Sequence, residues 1–516
     1  MNFLRCAGWL AAAVFLGLVA RFWHPVFGFT KFLQLDAPNA SIAVDAFRTY
    51  PVYVYRNTGP YDGMIYAQIA EDPTLRDPQL SRAIDNLAYR GRRILAPAIA
   101  WVLAGGRPGV VTQIYPLVNV IAWLALGALF WRGLPVNDAR GFVGWAGVLF
   151  SAGAIGCVRL ALTDLIGATL LFAAVLSAER KRGRSAVALA ALSGLTRETL
   201  LLGVGGLWDN FKPTAKNLLR AVLAALPLAL WMLYLRHLAA KGDAGWANFT
   251  WPVAGLAGKW AESIRALSAQ GDVLLAVTTL LAVVGLTTQW IWLIWNWEPS
   301  NRWWRMGAPF ALVLVLLGKA VWEGFPGAAF RTLLPLTLAF NLLAVRKRSP
   351  WIWLLIGNLT VLSGLLTLRD VPTDPNEIGA AHAHGQAVVA RTGAGWYGTE
   401  RTSRHQWTWT SGAPSVLDFQ SWPAHSSSIS CTAEVRSLAP GSISIHEGAR
   451  LLWSGPVGAR RSPIKFSVEV REGQGQIVFT TDAPTILEGP GADARRLAFA
   501  LYDLKVSIPD VAAGIR

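Results

Sequence analysis

The sequence predicts a polytopic α-helical membrane protein followed by a C-terminal all-β sandwich, and three observations carry that reading. Of 516 residues, 53% are hydrophobic and only 15% charged, whereas a soluble chain carries about 25% charged residues. Twenty-five residues are Trp, a side chain that favours membrane–water interfaces because its ring is half apolar and half polar. Long apolar runs recur up to residue 369 and then give way to short alternating ones.

A membrane helix needs ~20 mostly apolar residues. Candidate segments lie near 4–22, 110–131, 141–158, 162–179, 185–195, 199–209, 217–236, 271–295, 304–322, 328–345 and 350–368, about eleven in all. Arg5 precedes the first apolar run, which continues into Ala20-Arg21-Phe22-Trp23 without a small-x-small cleavage site, so the run reads as an uncleaved first span. Taken as one helix, 185–209 would place Arg197 and Glu198 at mid-span, where a charge costs several kcal/mol. Taken as two short helices, Leu195-Thr196-Arg197-Glu198-Thr199 becomes a turn at the outer face. The basic clusters at 180–184, 212–220 and 346–348 belong on the cytoplasmic side, and only the split puts all three there.

That topology leaves the N-terminus in the cytoplasm and the C-terminal domain outside a bacterial cytoplasmic membrane. It places the loop 23–109, the turn 159–164, the loop 237–270 and the turn 323–331 on the outer side. The apolar segment 94–103 is too short to span and reads as an interfacial or re-entrant helix. Residues 1–369 thus form the membrane domain. Residues 370–389, rich in Pro, Gly, Ala and His, read as a linker. From 390 to 516, alternating runs at 428–435, 442–446, 464–470, 476–480 and 498–507, separated by turn residues, predict an antiparallel sandwich.

The formal net charge of +16 fits basic cytoplasmic loops, or affinity for an anionic substrate such as a lipid phosphate. The basic residues sit between apolar spans rather than on one soluble face, which argues against nucleic-acid binding. Cys6, Cys157 and Cys431 make neither a disulfide framework nor a zinc pattern. His382-Ala383-His384 has the residue type for a metal, but an Ala/Gly-rich context favours a plain linker.

The sharpest local pattern is Tyr61-Asp62-Gly63-Met64-Ile65-Tyr66, continuing to Glu71-Asp72-Pro73. Met64, Ile65 and Ile69 suit a short helix lying at the bilayer surface with Asp62 at its N-terminus, where backbone N–H groups help keep the carboxylate ionised. Asp62 is then either a catalytic carboxylate or simply an N-cap. Next comes Asp85-Asn86-Leu87-Ala88-Tyr89-Arg90-Gly91-Arg92-Arg93-Ile94-Leu95-Ala96-Pro97. Its three Arg either snorkel from one apolar segment or grip a lipid phosphate. Asp164 opens an apolar helix in Arg159-Leu160-Ala161-Leu162-Thr163-Asp164, as a helix cap or as a second carboxylate that orients substrate. Glu323, Lys319 and Asp45 are weaker candidates.

Tyr-Asp-Gly-x-x-Tyr-x-x-Ile-Ala followed by Tyr-Arg-x-x-Arg-Ile-Leu-x-Pro resembles the first outer loop of bacterial GT-C fold glycosyltransferases. It is also similar to the Trp-Asp-Gly loop of eukaryotic mannosyltransferases of glycolipid-anchor synthesis, with Tyr61 in place of the Trp. Leu195-Thr196-Arg197-Glu198-Thr199 resembles the Leu-Thr-Lys-Gly turn of lipid-A aminoarabinose transferases and protein O-mannosyltransferases, with Arg and Glu replacing Lys and Gly. Phe330-Arg331-Thr332-Leu333-Leu334-Pro335 resembles the late Arg-x-x-x-Pro segment of that superfamily. The resemblance covers roughly residues 1–370.

The resemblance implies a GT-C-like membrane domain that uses a polyprenyl-phosphate sugar at the outer leaflet and inverts the anomeric centre. Asp62 would be the general base, with Asp164 as the second catalytic carboxylate. Arg331, Arg197, Arg92 and Arg93 would hold the phosphate, and Tyr61, Tyr66, Arg90, Arg159 and Glu198 would complete the substrate site. A lipid phosphate is already a stable leaving group, so no cofactor is required, and a divalent metal stays compatible with the chemistry. The acceptor would be an extracytoplasmic glycan, glycolipid or protein. Gly395-Trp396-Tyr397-Gly398 and Gln406-Trp407-Thr408-Trp409 resemble the jelly-roll accessory domains, similar to carbohydrate-binding modules, that follow some such cores. A glycolipid transporter or flippase, and a non-catalytic scaffold presenting a glycan-binding domain, are the alternatives.

Overall fold

The computed structural model describes residues 3–134, 138–238, 245–269, 271–489 and 494–509. Part of the expected outer loop 237–270, and residues 510–516 of the expected sandwich domain, lie outside the described residues. The chain divides into a helical unit, Met1–Phe22 with Phe29–Val44 and Asn57–Val371, and a β unit, Trp23–Gly28 with Asp45–Arg56 and Pro372–Arg516.

Within the helical unit, Phe3–Ala20, Val110–Gly133, Ala215–Leu238 and Val273–Trp295 are long and apolar enough to cross a membrane. Ala139–Leu149 and Ala152–Arg159 make a fifth if the pair, bent by 40°, is counted as one span. Helix Ala215–Leu238 leaves Leu219, Val222, Leu230 and Leu233 exposed, an apolar face whose natural solvent is lipid.

The other expected segments are helical but shorter or interrupted. Segment 304–322 runs as Arg302–Leu316 and restarts at Lys319–Trp322. Segment 350–368 breaks between Trp351–Gly357 and Thr360–Thr367, where the Asn358 side chain donates to the Asn341 side chain and to the Leu354 carbonyl. Residues 185–209 form two pieces, helix Gly183–Thr196 and the 3-10 helix Glu198–Leu207, with Arg197 extended between them. The segment near 94–103 is the nine-residue helix Leu95–Leu103.

Helix Asp62–Glu71 departs from expectation. In place of one apolar face, every residue from Gly63 to Ala70 is buried. It packs against Thr30–Leu33, Leu95–Leu103 and Val110–Gly133. Small and apolar side chains on all sides make it an interior helix rather than a surface one.

The β unit is built on two large antiparallel sheets, with a small two-stranded one at Ile486–Leu487 and Arg496–Leu497. One runs Arg450–Val457, Gly441–Glu447, Gln474–Thr481, Ser415–Trp422, Gln386–Thr392, Glu377–Ala383. The other runs Ser462–Val470, Ser427–Ser437, Phe499–Ser507, Gln406–Trp409, Glu400–Arg401. Alternate residues of both sheets, including Leu417, Val435, Ile445, Phe466 and Phe479, share one core, as period-two strands require.

Two boundaries need correcting. The expected linker 370–389 holds the strand Glu377–Ala383 and the start of Gln386–Thr392. Its small residues allow close pairing, and their low polarity contrast hid the alternation. The expected loop 23–109 gives two stretches to the β unit: Val26, Phe27, Tyr53 and Tyr55 pack with Val389 and Trp422. The tryptophans of the motifs at 395–398 and 406–409 make packing contacts within the β unit. Trp396 lies edge-on to Phe479 and Phe499 and donates to the Val416 carbonyl, Trp409 is buried, and Trp407 stacks on Tyr502.

Candidate functional site

The acidic and basic residues singled out in the sequence meet in one place within the helical unit. Asp62 is the first residue of its helix, but Tyr61 occupies the capping position and makes no capping bond. The Asp62 carboxylate turns to the guanidiniums instead: Arg90 Nη1 donates to Oδ1 at 2.8 Å and Arg331 Nη2 to Oδ2 at 2.8 Å. Arg331 also donates through Nη1 to Asp164 Oδ2 at 3.0 Å, and Arg197 donates to the other Asp164 oxygen. Asp164 likewise makes no capping bond, since Thr163 holds that position. A single guanidinium, that of Arg331, therefore joins the two carboxylates.

A second layer surrounds Arg93, which is buried. It donates to the Tyr66 hydroxyl at 2.6 Å, to the Tyr89 hydroxyl at 3.0 Å and to both oxygens of Glu198 at 3.4 Å. The Tyr89 ring collects the guanidiniums of Arg90, Arg92 and Arg93 at 5.0–5.6 Å from its centre, a favourable cation–π arrangement. Tyr61 lies 5.6 Å from the Arg331 guanidinium. Among the described residues Arg92 has no carboxylate partner, so its charge is uncommitted.

Close approaches between backbone segments set this geometry. A Cβ at Gly63 would strike the Leu160 carbonyl, one at Gly153 the Phe330 carbonyl, and one at Gly167 the Thr196 side chain. These three contacts bring the starts of Asp62–Glu71 and Asp164–Glu179 and the segments carrying Arg197 and Arg331 within reach of one another. Hydrogen bonds add to them: Ser193 donates to the Gly167 carbonyl, and Arg197 Nη2 to the Thr332 hydroxyl.

Four guanidiniums face Asp62, Asp164 and Glu198, with the more exposed Asp85 also paired to Arg90 at 2.9 Å. Burial pushes the Asp62 carboxyl up, but the Arg331 and Arg90 guanidiniums outweigh it and hold the group well below the usual carboxylate range. Exposure separates the two aspartates: the side chain of Asp62 is 18% exposed and that of Asp164 only 2%. Asp164 is nearly sealed among its arginines, whereas Asp62 keeps part of its side chain accessible. Two buried donors, Nε of Arg197 and Nε of Arg331, have no acceptor among the described residues.

The other expected residues have contacts of their own. Arg159 reaches towards the Lys31 carbonyl at 3.5 Å and over the Phe22 ring. Lys319 and Glu323 are exposed and face each other at 4.0 Å. Asp45 pairs with Arg48 in the β unit. Among the described residues no group of three or more His, Cys, Asp and Glu could hold a metal ion.

Sequence reasoning missed Asp85, Tyr89 and Thr332 as members. Asp85 and Tyr89 precede Arg90 in a motif already singled out, and their spacing was the available signal. Glu71, at the far end of the Asp62 helix, was also missed. Both its oxygens are buried without a hydrogen-bond partner of good geometry among the described residues, and burial pushes its carboxyl up to about 7. No family model matches the chain, and neither a curated protein nor a solved structure does.

Proposed function

We propose that this chain is an inverting glycosyltransferase that moves a sugar from a polyprenyl-phosphate donor to a glycan, glycolipid or protein acceptor outside the cytoplasmic membrane. The observation that carries this reading is the bridge Asp62–Arg331–Asp164, in which a reachable carboxylate sits against guanidiniums fixed by a buried one. The unpaired Nε donors of Arg197 and Arg331 and the uncommitted charge of Arg92 suit phosphate oxygens, which guanidinium forks match in geometry.

At rest Asp62 is a poor base, because two guanidiniums stabilise its ionised form. A donor phosphate competes for the same guanidiniums. As Arg331 and Arg90 turn towards phosphate, Asp62 loses its partners and regains basicity. The acceptor hydroxyl then attacks the anomeric carbon while the bond from that carbon to the phosphate oxygen breaks. The hydroxyl proton passes to Asp62, and the polyprenyl phosphate leaves as an anion held by the arginines. One displacement inverts the centre. Donor binding therefore precedes activation of the base.

The test uses the full chain in lipid nanodiscs with undecaprenyl phosphate as the probe. Wild-type protein is expected to bind it. Arg92→Ala, which breaks no ion pair among the described residues, should weaken binding about tenfold, the loss of one charge-assisted contact. Asp62→Asn should retain binding while sugar transfer in the host, read by mass spectrometry of surface glycans, falls about 10²–10⁴-fold. Full transfer by Asp62→Asn would remove it as the base, and absence of any binding to the wild type would end the reading. Movement of labelled lipid between leaflets without transfer would replace it with transport.

A further inference from the structure

A second charged site lies at the other end of the helices that carry Asp164 and Arg197. Helix Asp164–Glu179 is 16 residues long, so its ends are about 24 Å apart. At its far end a concave space of about 300 Å³ opens between Lys181, Gly183, Asp209, Lys216, Arg220 and Arg302. That volume is at the lower end of the range for small-ligand sites.

The charge there is unbalanced. Asp209 is the single carboxylate in the lining, and it meets Lys216 at 2.9 Å, Arg220 at 3.0 Å and Arg302 at 3.0 Å. Lys181 adds a fourth cation with no ion-pair partner among the described residues. The start of helix Gly183–Thr196 also borders the space. It has no side-chain cap, and a Cβ at Gly183 would lie 3.5 Å from Arg220 Nη2. The first N–H groups of a helix have no acceptor within it, and they favour an anion.

The walls are built rather than loose. Buried Arg305 donates to the carbonyls of Gly205, Pro299 and Trp208. Buried Asn217 donates to the Lys212 carbonyl and accepts from the Asp209 N–H. These bonds fix the 208–214 segment, and with it the position of Asp209. Three cations held on one carboxylate, with Lys181 as a fourth charge in the lining, make a cradle with room and charge for a second, more highly charged anion.

We propose that this cavity is a binding site for a phosphate group, distinct from the Asp62 cluster, gripped by Lys181, Lys216 and Arg220 and by the N-terminus of helix Gly183–Thr196. The same chemistry serves a lipid headgroup phosphate or a free one. Basic pockets at the ends of membrane helices are a recurrent setting for the former. Asp209 acts as an internal competitor that keeps the cations in place when no phosphate is bound.

The experiment follows thermal unfolding of the full-length protein in detergent with inorganic phosphate, against chloride at matched ionic strength. In parallel it compares nanodiscs of phosphatidylcholine with nanodiscs containing phosphatidylglycerol. Saturable stabilisation by inorganic phosphate assigns a free anion, and stabilisation by phosphatidylglycerol alone assigns a headgroup. In either case Lys181→Gln combined with Lys216→Gln, two exposed positions whose loss spares the fold, should weaken the effect about tenfold or more. Asp209→Asn should strengthen it. Because phosphate at the Asp62 cluster would stabilise wild type and double variant alike, equal responses overturn the proposal. So does a wild type that responds to neither probe beyond chloride.

Discussion

The two charged regions at opposite ends of helix Asp164–Glu179 are built on different principles. In the Asp62 cluster, Arg90, Arg93, Arg197 and Arg331 each have a carboxylate partner, and most of these side chains are largely buried. In the 300 Å³ cavity, three cations share one half-exposed carboxylate and Lys181 adds a fourth positive charge to the lining. Desolvated charges demand neutralisation, because an unpaired one costs several kcal/mol. Hydrated charges carry no such demand, so an excess of one sign persists there and remains available to a ligand. The first arrangement holds geometry; the second recruits an anion.

The largest effect expected from this contrast comes from Asp164→Ala. It strands Arg197 and Arg331 in a buried setting and should cost about 3–5 kcal/mol, read as a fall in unfolding temperature. A loss below about 1 kcal/mol would place that cluster in the same hydrated class as the cavity. Glu71 offers an intermediate test on the Asp62 helix itself, as a carboxylate with burial but no cation. Its folded-state pKa of about 7 lies above its unfolded value. The protonated form is thus favoured by folding, and the stability it contributes is full below the unfolded pKa and lost as pH rises through 7. Glu71→Gln should raise stability at pH 8 by about 1 kcal/mol, after discounting for partial exposure, and change little at pH 4. Equal effects at both pH values would contradict that sign. Asp209→Ala should be the mildest, within ~1 kcal/mol of wild type, since exposed pairs contribute little. A drop as large as that of Asp164→Ala would show the cavity to be structural.

The charged residues of the Asp62 cluster were legible in the sequence because ionisable groups beside apolar runs stand out and a charge there needs a partner. Their pairing was not. Asp62 and Arg331 are separated by 269 positions, and the contacts that unite them run through Gly63, whose motif does not name its partner, and through Gly153 and Gly167, which look unremarkable among 49 glycines. The strands at 428–435, 464–470 and 476–480 were plain from their alternation, and each end lies within two residues of it. Glu377–Ala383 was hidden because Gly379, Ala380 and Ala381 carry almost no polarity contrast. The interior placement of Asp62–Glu71 was missed for a related reason: Ala67, Gln68 and Ala70 look polar or neutral on a wheel, yet the two alanines are small and the Gln68 amide oxygen accepts from the Val44 N–H.

Gly63 has an implication that reaches past its own position. Its α-carbon rests against the Leu160 carbonyl, one residue from the carboxylate that two guanidiniums share. A single methyl added there would leave net charge and hydropathy almost untouched, yet it would lever the helix start away from both arginines together. The chemistry of this region thus depends on the thickness of one backbone contact, and substitutions that look silent on paper can disarm it as thoroughly as removing a charge.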